Sequence, residues 1–361
     1  MRILVFTSSS ASSGGVRQAA YQVEALRERG HDAYFCLPAD SVLWKNGGAP
    51  HWSALPKDKR HWKRHLESLF AASKPTIIHA FHRAVNFCAW HGLFWKTRGV
   101  YCVSHRGVIF RPKNVFVYWA GAIAAVIANS AACAHSFGFT CPKRKLYVVP
   151  NGLPADRLLP TRSPAETLAE LDLSPAPANS SNRFIWGYAG NNNPIKGGES
   201  ALRAFAAAAR PEDCFVALGL TEAWLPLCHE LGIAGQVRLL GYRPNVANYL
   251  QVMNGFISST SMDSMPNSVM EAMSFGLPIA ATSVGGVPEM LSAEALVPLT
   301  EPTSLSALAA LMRRITDDDS FRTHLADANR HTAHTYTMDA RCQALEQIYA
   351  AVVKARGTPR R

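Results

Sequence analysis

The stretch MDSMPNSVMEAMSFGLPIAATSVGGVPE, residues 262–289, decides how this chain is interpreted. Two acids, Asp263 and Glu271, stand eight positions apart on either side of Pro266. A proline suits the first turn of a helix, because the amide that it lacks would have no partner there. The apolar positions that follow predict a short helix, and the glycines and proline after it predict a turn into a buried strand.

The start of this helix has the properties of an anion site. The amides of Asn267 and Ser268 would point out of the first turn, and the helix dipole adds positive potential at the same end. Phosphate suits such a site, since several donors converge on one point. We expect Glu271 to approach the same ligand from the helix and Asp263 from the loop before it. An ordinary surface helix that starts with a proline is the alternative.

Short apolar runs alternate with helical patterns on both sides of this stretch, which indicates an α/β protein with parallel, doubly wound sheets. The segment LSPAPANSSNR, residues 173–183, has the composition of an interdomain linker. We therefore predict a first domain over residues 1–172, a second over residues 184–335, and a cleft between them where ligands bind. The predicted strands are residues 2–7, 32–37, 76–80, 100–104, 122–128 and 146–149, then 184–189, 215–219, 237–240, 255–258, 278–281 and 296–298.

Charge is distributed unevenly along the 361 residues. The net charge is +11, and residues 1–150 hold 20 Lys and Arg against 6 Asp and Glu. The most basic piece is KDKRHWKRH, residues 57–65, which has Trp62 inside it. We expect Lys57–Arg64 to contact an anionic membrane surface, with Trp62 as an apolar anchor. Nucleic acid is not expected as a partner, because no helix-turn-helix, zinc-finger or RRM signature accompanies the charge.

The cysteines and the apolar runs indicate a compartment. Eight cysteines are scattered without a C-x-x-C pair or a zinc-ligand spacing, which is typical of reduced thiols in a core. The apolar run after Met1 is too short for a signal peptide, and residues 118–134 are too few and too polar to span a membrane. We expect a cytoplasmic protein that is at most peripheral on the inner face of the cytoplasmic membrane.

The stretch SMDSMPNSVMEAMSFGLPIAATSVGGVPEML resembles the nucleotide-sugar signature of the retaining glycosyltransferases of family 4, which have the GT-B fold. That signature is Glu-x7-Glu, a small-x-Gly-x-Pro turn and a Gly-Gly turn before Pro-Glu. Glu271 matches the second Glu, which binds the donor ribose in the family. Asp263 replaces the first, which contacts the transferred sugar. The resemblance implies two Rossmann-like domains facing a cleft, with the nucleotide sugar held mainly by the second.

Other landmarks of the family occur along nearly the whole chain, and each implies a role. Gly14 and Gly15 would let the backbone approach the donor phosphate or the acceptor. His105 in VSHRG matches a histidine beside the donor sugar, and Lys196 matches a phosphate-binding lysine. Asn191 stands where an arginine is usual. The last helix, within residues 336–361, resembles the one that crosses back onto the first domain.

The remaining site residues also follow from the resemblance. Tyr242 and Arg243 follow the strand whose next loop meets the nucleotide base, and Arg243 or Arg17 could supply the charge that Asn191 lacks. On the acceptor side we expect Arg17, His82 and Arg106.

The family's chemistry implies the transfer of a sugar from a UDP- or GDP-type nucleoside-diphosphate sugar, with retention of anomeric configuration. Asp263, Lys196 and His105 would be the catalytic residues. Lys196 and the helix start would neutralise the leaving diphosphate without a metal or another cofactor. The expected acceptor is a saccharide or a lipid-linked saccharide, in the synthesis of cell-envelope polysaccharide or lipopolysaccharide.

Three other functions remain open. A nucleotide-cofactor oxidoreductase also uses doubly wound sheets, but the first loop reads SSSASSGG and lacks G-x-G-x-x-G. A sugar-nucleotide epimerase or hydrolase would share the two-domain architecture. A non-catalytic sugar-nucleotide-binding protein is made more credible by Asp263 and Asn191.

Overall fold

The chain forms two compact α/β units in a computed structural model that describes residues 1–11, 13–70, 74–91, 99–114, 116–173, 183–299 and 303–357. The first unit comprises residues 1–154 and 337–361, and the second comprises residues 155–336. Each unit is built on a parallel sheet, which confirms the α/β class that the alternating pattern predicts.

The first sheet has seven strands in the order β3-β2-β1-β4-β5-β6-β7, and the second has six in the order β10-β9-β8-β11-β12-β13. Twelve strands match the prediction to within two residues. The short edge strand β3 was not predicted, because its four residues are too few to show a pattern. The strands are β1 Arg2–Thr7, β2 Asp32–Pro38, β3 Trp52–Leu55, β4 Thr76–Phe81, β5 Val100–Arg106, β6 Ile123–Ala128, β7 Leu146–Val148, β8 Ile185–Ala189, β9 Cys214–Leu218, β10 Val237–Gly241, β11 Gly255–Ser258, β12 Ile279–Ser283 and β13 Leu296–Pro298.

Helices connect and cover these strands, and several have clear start and stop signals. The hydroxyl of Ser13 accepts from the amide of Val16 to open the first helix, and Gly30 at φ 81° follows its end. The helices are α1 Gly14–Glu28, α2 Val42–Lys45, α3 Trp62–Ser68, α4 Ala84–His91, α5 Ala131–Ser136, α6 Pro164–Glu170, α7 Gly198–Ala208, α8 Leu225–Glu230, α9 Ala247–Leu250, α10 Asn267–Ser274, α11 Thr303–Asp317, α12 Asp319–Ala333 and α13 Met338–Gly357.

The first sheet is covered on both faces. One apolar core lies under α1 and α13, where Val16 and Val23 pack with Leu345 and Tyr349. The other lies under α3, α4 and α5. A parallel sheet needs this double cover, because both faces of its strands are apolar. All eight cysteines are buried in the structure, as expected of core residues.

The boundary between the units differs from the composition break in the sequence. The first unit ends at Pro154, and the following segment already packs on the second unit. The amide of Thr161 donates to Asn248 Oδ1 at 2.7 Å, and Arg238 Nε donates to the carbonyl of Leu171 at 2.7 Å. These bonds, which composition cannot reveal, assign residues 155–172 to the second unit. Of the proposed linker, residues 174–182 lie outside the described part of the chain.

No helix in the described residues is long and apolar enough to cross a bilayer.

Candidate functional site

The loop after β11 is fastened to the loop after β8 at the carboxyl edge of the second sheet. Ser259 Oγ donates to the carbonyl of Gly197 at 2.7 Å, and Thr260 Oγ1 donates to the carbonyl of Ile195 at 2.8 Å. Gly197 has φ 73°, and a Cβ there would come within 1.9 Å of the Ser259 carbonyl oxygen. Only glycine fits such a position. This tie brings the two loops that carry the predicted phosphate and sugar contacts together.

Lys196 and Asp263 form an ion pair where these loops meet. Lys196 Nζ lies 2.6 Å from Asp263 Oδ2, and the side chains are 39% and 14% exposed. The other carboxylate oxygen, Oδ1, accepts from the amide of Met265 at 3.1 Å, which fixes the orientation of Asp263. The pair lines a pocket with Tyr188, Ser258, Pro266 and Ser268, among others. Of the residues predicted to contact the phosphate or the sugar, Lys196, Asp263 and Ser268 therefore line one cavity.

The helix that starts at this pocket differs in one detail from the prediction. Pro266 precedes α10 as its N-cap instead of occupying its first turn, with φ −72° and ψ 124°. The extended ψ explains this, since a residue in the helix would need ψ near −40°. Pro266 and Ser268 still line the pocket, so the positive end of α10 faces it. Anion binding by the amides of Asn267 and Ser268 stays a prediction.

Glu271 lies one turn further along α10 and is buried against an arginine that the sequence did not single out. Arg157 Nε lies 2.9 Å from Glu271 Oε1, and Arg157 Nη1 donates to the carbonyl of Pro244 at 2.6 Å. A buried carboxylate needs a partner, because an uncompensated charge away from water is costly. Arg157 stands 114 residues before Glu271 in the chain, and no local pattern marks it.

Three more predicted donor contacts, Asn191, Tyr242 and Arg243, lie on the same unit and have different surroundings. Asn191 is exposed, and its Oδ1 accepts from the amide of Asn193 at 3.1 Å. Tyr242 is 72% exposed. Arg243 Nε donates to Tyr249 Oη at 3.0 Å and lies 3.7 Å from a Glu170 carboxylate oxygen. Arg243 thus has an acid beside it, as Lys196 does, and its role in place of the arginine usual at position 191 stays a prediction.

In the first unit, His82 follows β4 in a strained backbone conformation. Its φ is 55°, which few non-glycine residues adopt, and its Nδ1 lies 2.9 Å from Thr7 Oγ1 at the end of β1. A Cβ on Gly15 would lie only 2.9 Å from His82 Nε2. Position 15 therefore has a structural need for glycine, because the ring of His82 occupies the space that a side chain there would fill. Gly14 is the first residue of α1.

His105 is nearly buried at the end of β5. Its ring stacks on Phe81 with centroids 4.3 Å apart, and its Nδ1 lies 3.4 Å from Arg341 Nη2. Burial, the Arg341 cation and two neighbouring histidines lower the pKa of His105 well below its usual range. Since the arginine can only donate, Nδ1 accepts and the proton of the neutral ring resides on Nε2.

Arg341 reaches this cluster from α13. Its guanidinium donates to the carbonyls of Val149 and Pro150 at 3.1 and 2.6 Å, and to Gln22 Oε1 at 3.2 Å. The same glutamine bonds His79, whose Nδ1 also lies 2.6 Å from Tyr349 Oη. The C-terminal helix therefore shapes the surroundings of His105, which the sequence pattern did not show.

The two arginines expected on the acceptor side differ in the contacts that their side chains make within the first unit. Arg106 donates to the carbonyl of Phe110, and its guanidinium lies 5.4 Å from the ring centre of Phe137. Its side chain is therefore engaged within the unit. Arg17 is half-buried on α1. Contacts of Arg17, His82 and Arg106 with an acceptor stay predictions.

Trp62 is a core residue, so its predicted role as an interfacial anchor is wrong. It is 5% exposed, its ring meets Phe6 edge-on at 5.5 Å, and its Nε1 donates to the carbonyl of Pro56 at 2.7 Å. Trp62 and Leu66 are one turn apart on α3 and face the sheet together. The surrounding basic residues occupy the outer face of the helix and conceal this pattern in the sequence.

Comparisons with known proteins show which family this chain resembles. Residues 183–318 match the family model "Glycosyl transferases group 1", and residues 12–157 match "Glycosyltransferase Family 4". The chain is 24% identical over 280 residues to UDP-Gal:alpha-D-GlcNAc-diphosphoundecaprenol alpha-1,3-galactosyltransferase of Escherichia coli, covering 72% of this chain and 71% of that protein.

Another relative is the lipopolysaccharide core biosynthesis glycosyltransferase LpsE of Rhizobium meliloti, with 24% identity over 126 residues that cover 35% of this chain and 37% of that protein. Among solved structures, Anabaena HepE in complex with UDP-glucose has a similar fold, with a TM-score of 0.80 and 16% identity over 97% of this chain and 100% of that chain. The two family models together span most of both units, and the chain belongs to family 4 of the glycosyltransferases, with the GT-B fold.

Proposed function

We propose that this glycosyltransferase moves a sugar from a UDP-sugar to a lipid-linked saccharide during the synthesis of cell-envelope polysaccharide. The observation that carries the proposal is the pocket of the second unit, where Lys196 and Asp263 meet beside the positive end of α10 and Glu271 follows one turn later. In support, LpsE is named for lipopolysaccharide core biosynthesis, and the galactosyltransferase relative carries a diphosphoundecaprenol acceptor in its name.

The chemistry requires two charges to be stabilised at once. Cleavage of the bond between the anomeric carbon and the diphosphate leaves negative charge on the phosphate and positive character on the sugar. Lys196 and the N-terminus of α10 are suited to the phosphate, and Asp263 is suited to the sugar. The retaining outcome follows if the acceptor hydroxyl attacks from the face that the diphosphate leaves, with a phosphate oxygen taking its proton.

The Lys196–Asp263 pair adds a step before chemistry. A bound diphosphate would compete with Asp263 for the ammonium of Lys196, because both are anions within reach of one cation. Exchange of partners would release the carboxylate toward the sugar. The free enzyme would thus keep both groups neutralised until the donor arrives.

The test is incubation of the full chain with UDP-, GDP- and ADP-sugars and an undecaprenyl-diphosphate sugar acceptor, with EDTA present. We expect transfer from a UDP-sugar with retained configuration, and its loss in the Lys196→Met variant. Lys45→Met, which removes an exposed lysine of the first unit, is the matched control. Hydrolysis or epimerisation of the donor without transfer would indicate a sugar-nucleotide hydrolase or epimerase. Tight binding of the donor without turnover would indicate a non-catalytic binding protein. Loss of activity in EDTA would refute only the expectation that transfer needs no metal, and not the proposed transfer itself.

A further inference from the structure

Four large aromatic side chains are exposed in the first unit between β5 and the turn that follows α5. Phe110, Phe116, Trp119 and Phe139 are 53%, 80%, 53% and 67% exposed. Single exposed apolar residues are ordinary, but a contiguous group of them marks an interaction surface. The group belongs neither to the sugar-nucleotide pocket nor to the buried histidine cluster.

Hydrogen bonds and a cation–π contact connect three of these residues. Trp119 Nε1 donates to the carbonyl of Phe139 at 3.1 Å, and the guanidinium of Arg111 lies 4.4 Å from the ring centre of Phe139. Phe116 and Trp119 share one turn, in which the amide of Trp119 donates to the carbonyl of Phe116 at 3.1 Å. Phe110 precedes Arg111 in the chain. We call Phe110, Arg111, Lys113, Phe116, Trp119 and Phe139 the aromatic–basic surface.

The part of the sequence that carries this surface has charges of one sign. Residues 68–155 contain ten Lys and Arg and not one Asp or Glu. Arg111 and Lys113 are exposed within the surface, and Lys143 and Arg144 are exposed shortly after Phe139. A positive surface that carries exposed rings is complementary to a layer that is anionic outside and apolar beneath.

We infer that the aromatic–basic surface docks the enzyme on the anionic leaflet of a membrane. Tryptophan and other aromatic rings favour the headgroup region, where one end of the side chain is apolar and the other is wet. Lysine and arginine near such a leaflet are attracted by its negative surface potential. This docking goes beyond the proposed function and rests on it only in that a lipid-linked acceptor gives the docking a purpose.

The basic segment Lys57–Arg64 lacks the features that qualify the aromatic–basic surface. Trp62, its only tryptophan, tyrosine or phenylalanine, is buried. Arg60 Nη2 lies 2.7 Å from Asp58, and Lys63 Nζ lies 3.8 Å from Glu67, so part of its charge is compensated locally. The segment therefore provides a matched control for charge without exposed aromatics.

The experiment is co-sedimentation of the full chain with vesicles of phosphatidylcholine alone or with about one-third phosphatidylglycerol, without nucleotide sugar or acceptor, so that the result does not depend on transfer. We expect binding to the anionic vesicles at low salt that weakens as salt rises. Arg111→Glu/Lys113→Glu should lower the partition coefficient about tenfold or more. Lys57→Glu/Lys59→Glu, with the same change in net charge, should lower it much less.

Two further variants separate insertion of rings from attraction of charge. Phe116→Ser should weaken binding while leaving the charge unchanged. Brominated lipids should quench the fluorescence of the wild type more than that of Trp119→Phe, because Trp119 would lie in the headgroup region. Circular dichroism confirms that each variant is folded.

Several outcomes would overturn the inference. The inference is wrong if the wild type does not bind anionic vesicles at low salt. It is also wrong if the two charge-reversal pairs reduce vesicle binding equally. Equal quenching of the wild type and Trp119→Phe would also contradict it. Competition by millimolar glycerol phosphate would indicate a site for free phosphate. Vesicle-independent dimers that Phe116→Ser dissociates would make the surface an interface between two copies of the chain.

Discussion

The two units place polar groups at the carboxyl edges of their sheets but compensate the charges in opposite ways. In the second unit each acid of the signature has a cation, Lys196 for Asp263 and Arg157 for Glu271. In the first unit the cation Arg341 is buried among carbonyls, Gln22 and His105. No carboxylate of the described residues is within ion-pair distance of it. On the proposed function, Lys196 would exchange Asp263 for a ligand, whereas hydrogen bonds hold Arg341 within the fold.

Burial explains this difference. Desolvation lowers the pKa of Arg341 to about 10, so the guanidinium still carries its charge at neutral pH. An ion without a counter-ion is retained only where several hydrogen bonds hold it. Lys196 is partly open to solvent, and its ion pair with Asp263 costs little to separate. The contrast predicts structural effects from variants in the first unit and ligand effects from variants in the second.

The largest effect is expected from Arg341→Ala. Its removal leaves the carbonyls of Val149 and Pro150 without this donor, and each buried acceptor without a partner costs about 1–3 kcal/mol. We expect the free energy of unfolding of the first unit to fall by about 3 kcal/mol or more. Hydrogen exchange of peptides from β4, β5 and α13 measures this loss.

Arg60→Ala, which removes an exposed guanidinium from the same unit, is the control. Protection of the second unit should stay near its wild-type level. If peptides of both units lose protection equally, or if neither does, Arg341 does not have the structural role assigned to it.

A dependence on pH would sharpen the same contrast. Burial and Arg341 lower the pKa of His79 and of His105 well below 6.5 in the folded state. Between that value and 6.5 the unfolded chain binds more protons, so acid favours unfolding. The free energy of unfolding should therefore hold above pH 6.5 and fall below it, by about 1.4 kcal/mol per pH unit for each histidine.

Urea denaturation followed by tryptophan fluorescence is a suitable measurement, since six of the eight tryptophans precede residue 155. His79→Gln should remove about half of the slope with pH that the two histidines cause. Tyr349→Phe, which removes a partner of His79 but no histidine, should keep it. A slope unchanged by His79→Gln would contradict the assignment.

The two acids of the second unit should differ from each other. Glu271→Gln removes the charge that compensates Arg157 and the expected contact with ribose, and a hydrogen bond to a charged group is worth about 1.5–3 kcal/mol. We expect the affinity for UDP to fall about 10- to 100-fold. Asp263→Asn should weaken binding less and mainly slow transfer. Calorimetric titration with UDP and GDP measures both variants.

Arg157→Gln tests whether Arg157 acts through Glu271. If it does, the double variant Arg157→Gln/Glu271→Gln should bind UDP no more weakly than the single variant with the lower affinity. The free-energy changes of substitutions at neighbouring residues do not simply add. Equal weakening by Glu271→Gln and Asp263→Asn would contradict the separation of their roles.

What the sequence revealed depended on whether the relevant contacts were local. The strands, α10 and the two acids could be predicted, because residues 262–289 carry their own periodicity and turn signals. Arg157 could not, since its partner Glu271 lies 114 residues away and nothing local distinguishes this arginine. Trp62 was misassigned, because a charged neighbourhood conceals the one apolar face of a short helix. The end of the first unit at Pro154 depends on long-range hydrogen bonds that composition does not record.

The smallest effect is expected from Asn191→Arg, which restores the residue usual in the family. Asn191 is exposed, so a new guanidinium would meet a bound diphosphate in high dielectric, where a charge pair contributes about 0.2–1 kcal/mol. The variant also loses the bond from the Asn193 amide to Asn191 Oδ1, which orders the loop. We expect UDP to bind no more than about fivefold tighter and uridine to bind unchanged. The gain should vanish at high salt, because screening acts on exposed charges. A gain that persists at high salt, or one that uridine shares, would show that the loop itself had been reorganised, and the contrast between an exchangeable site and a fixed one would then need revision.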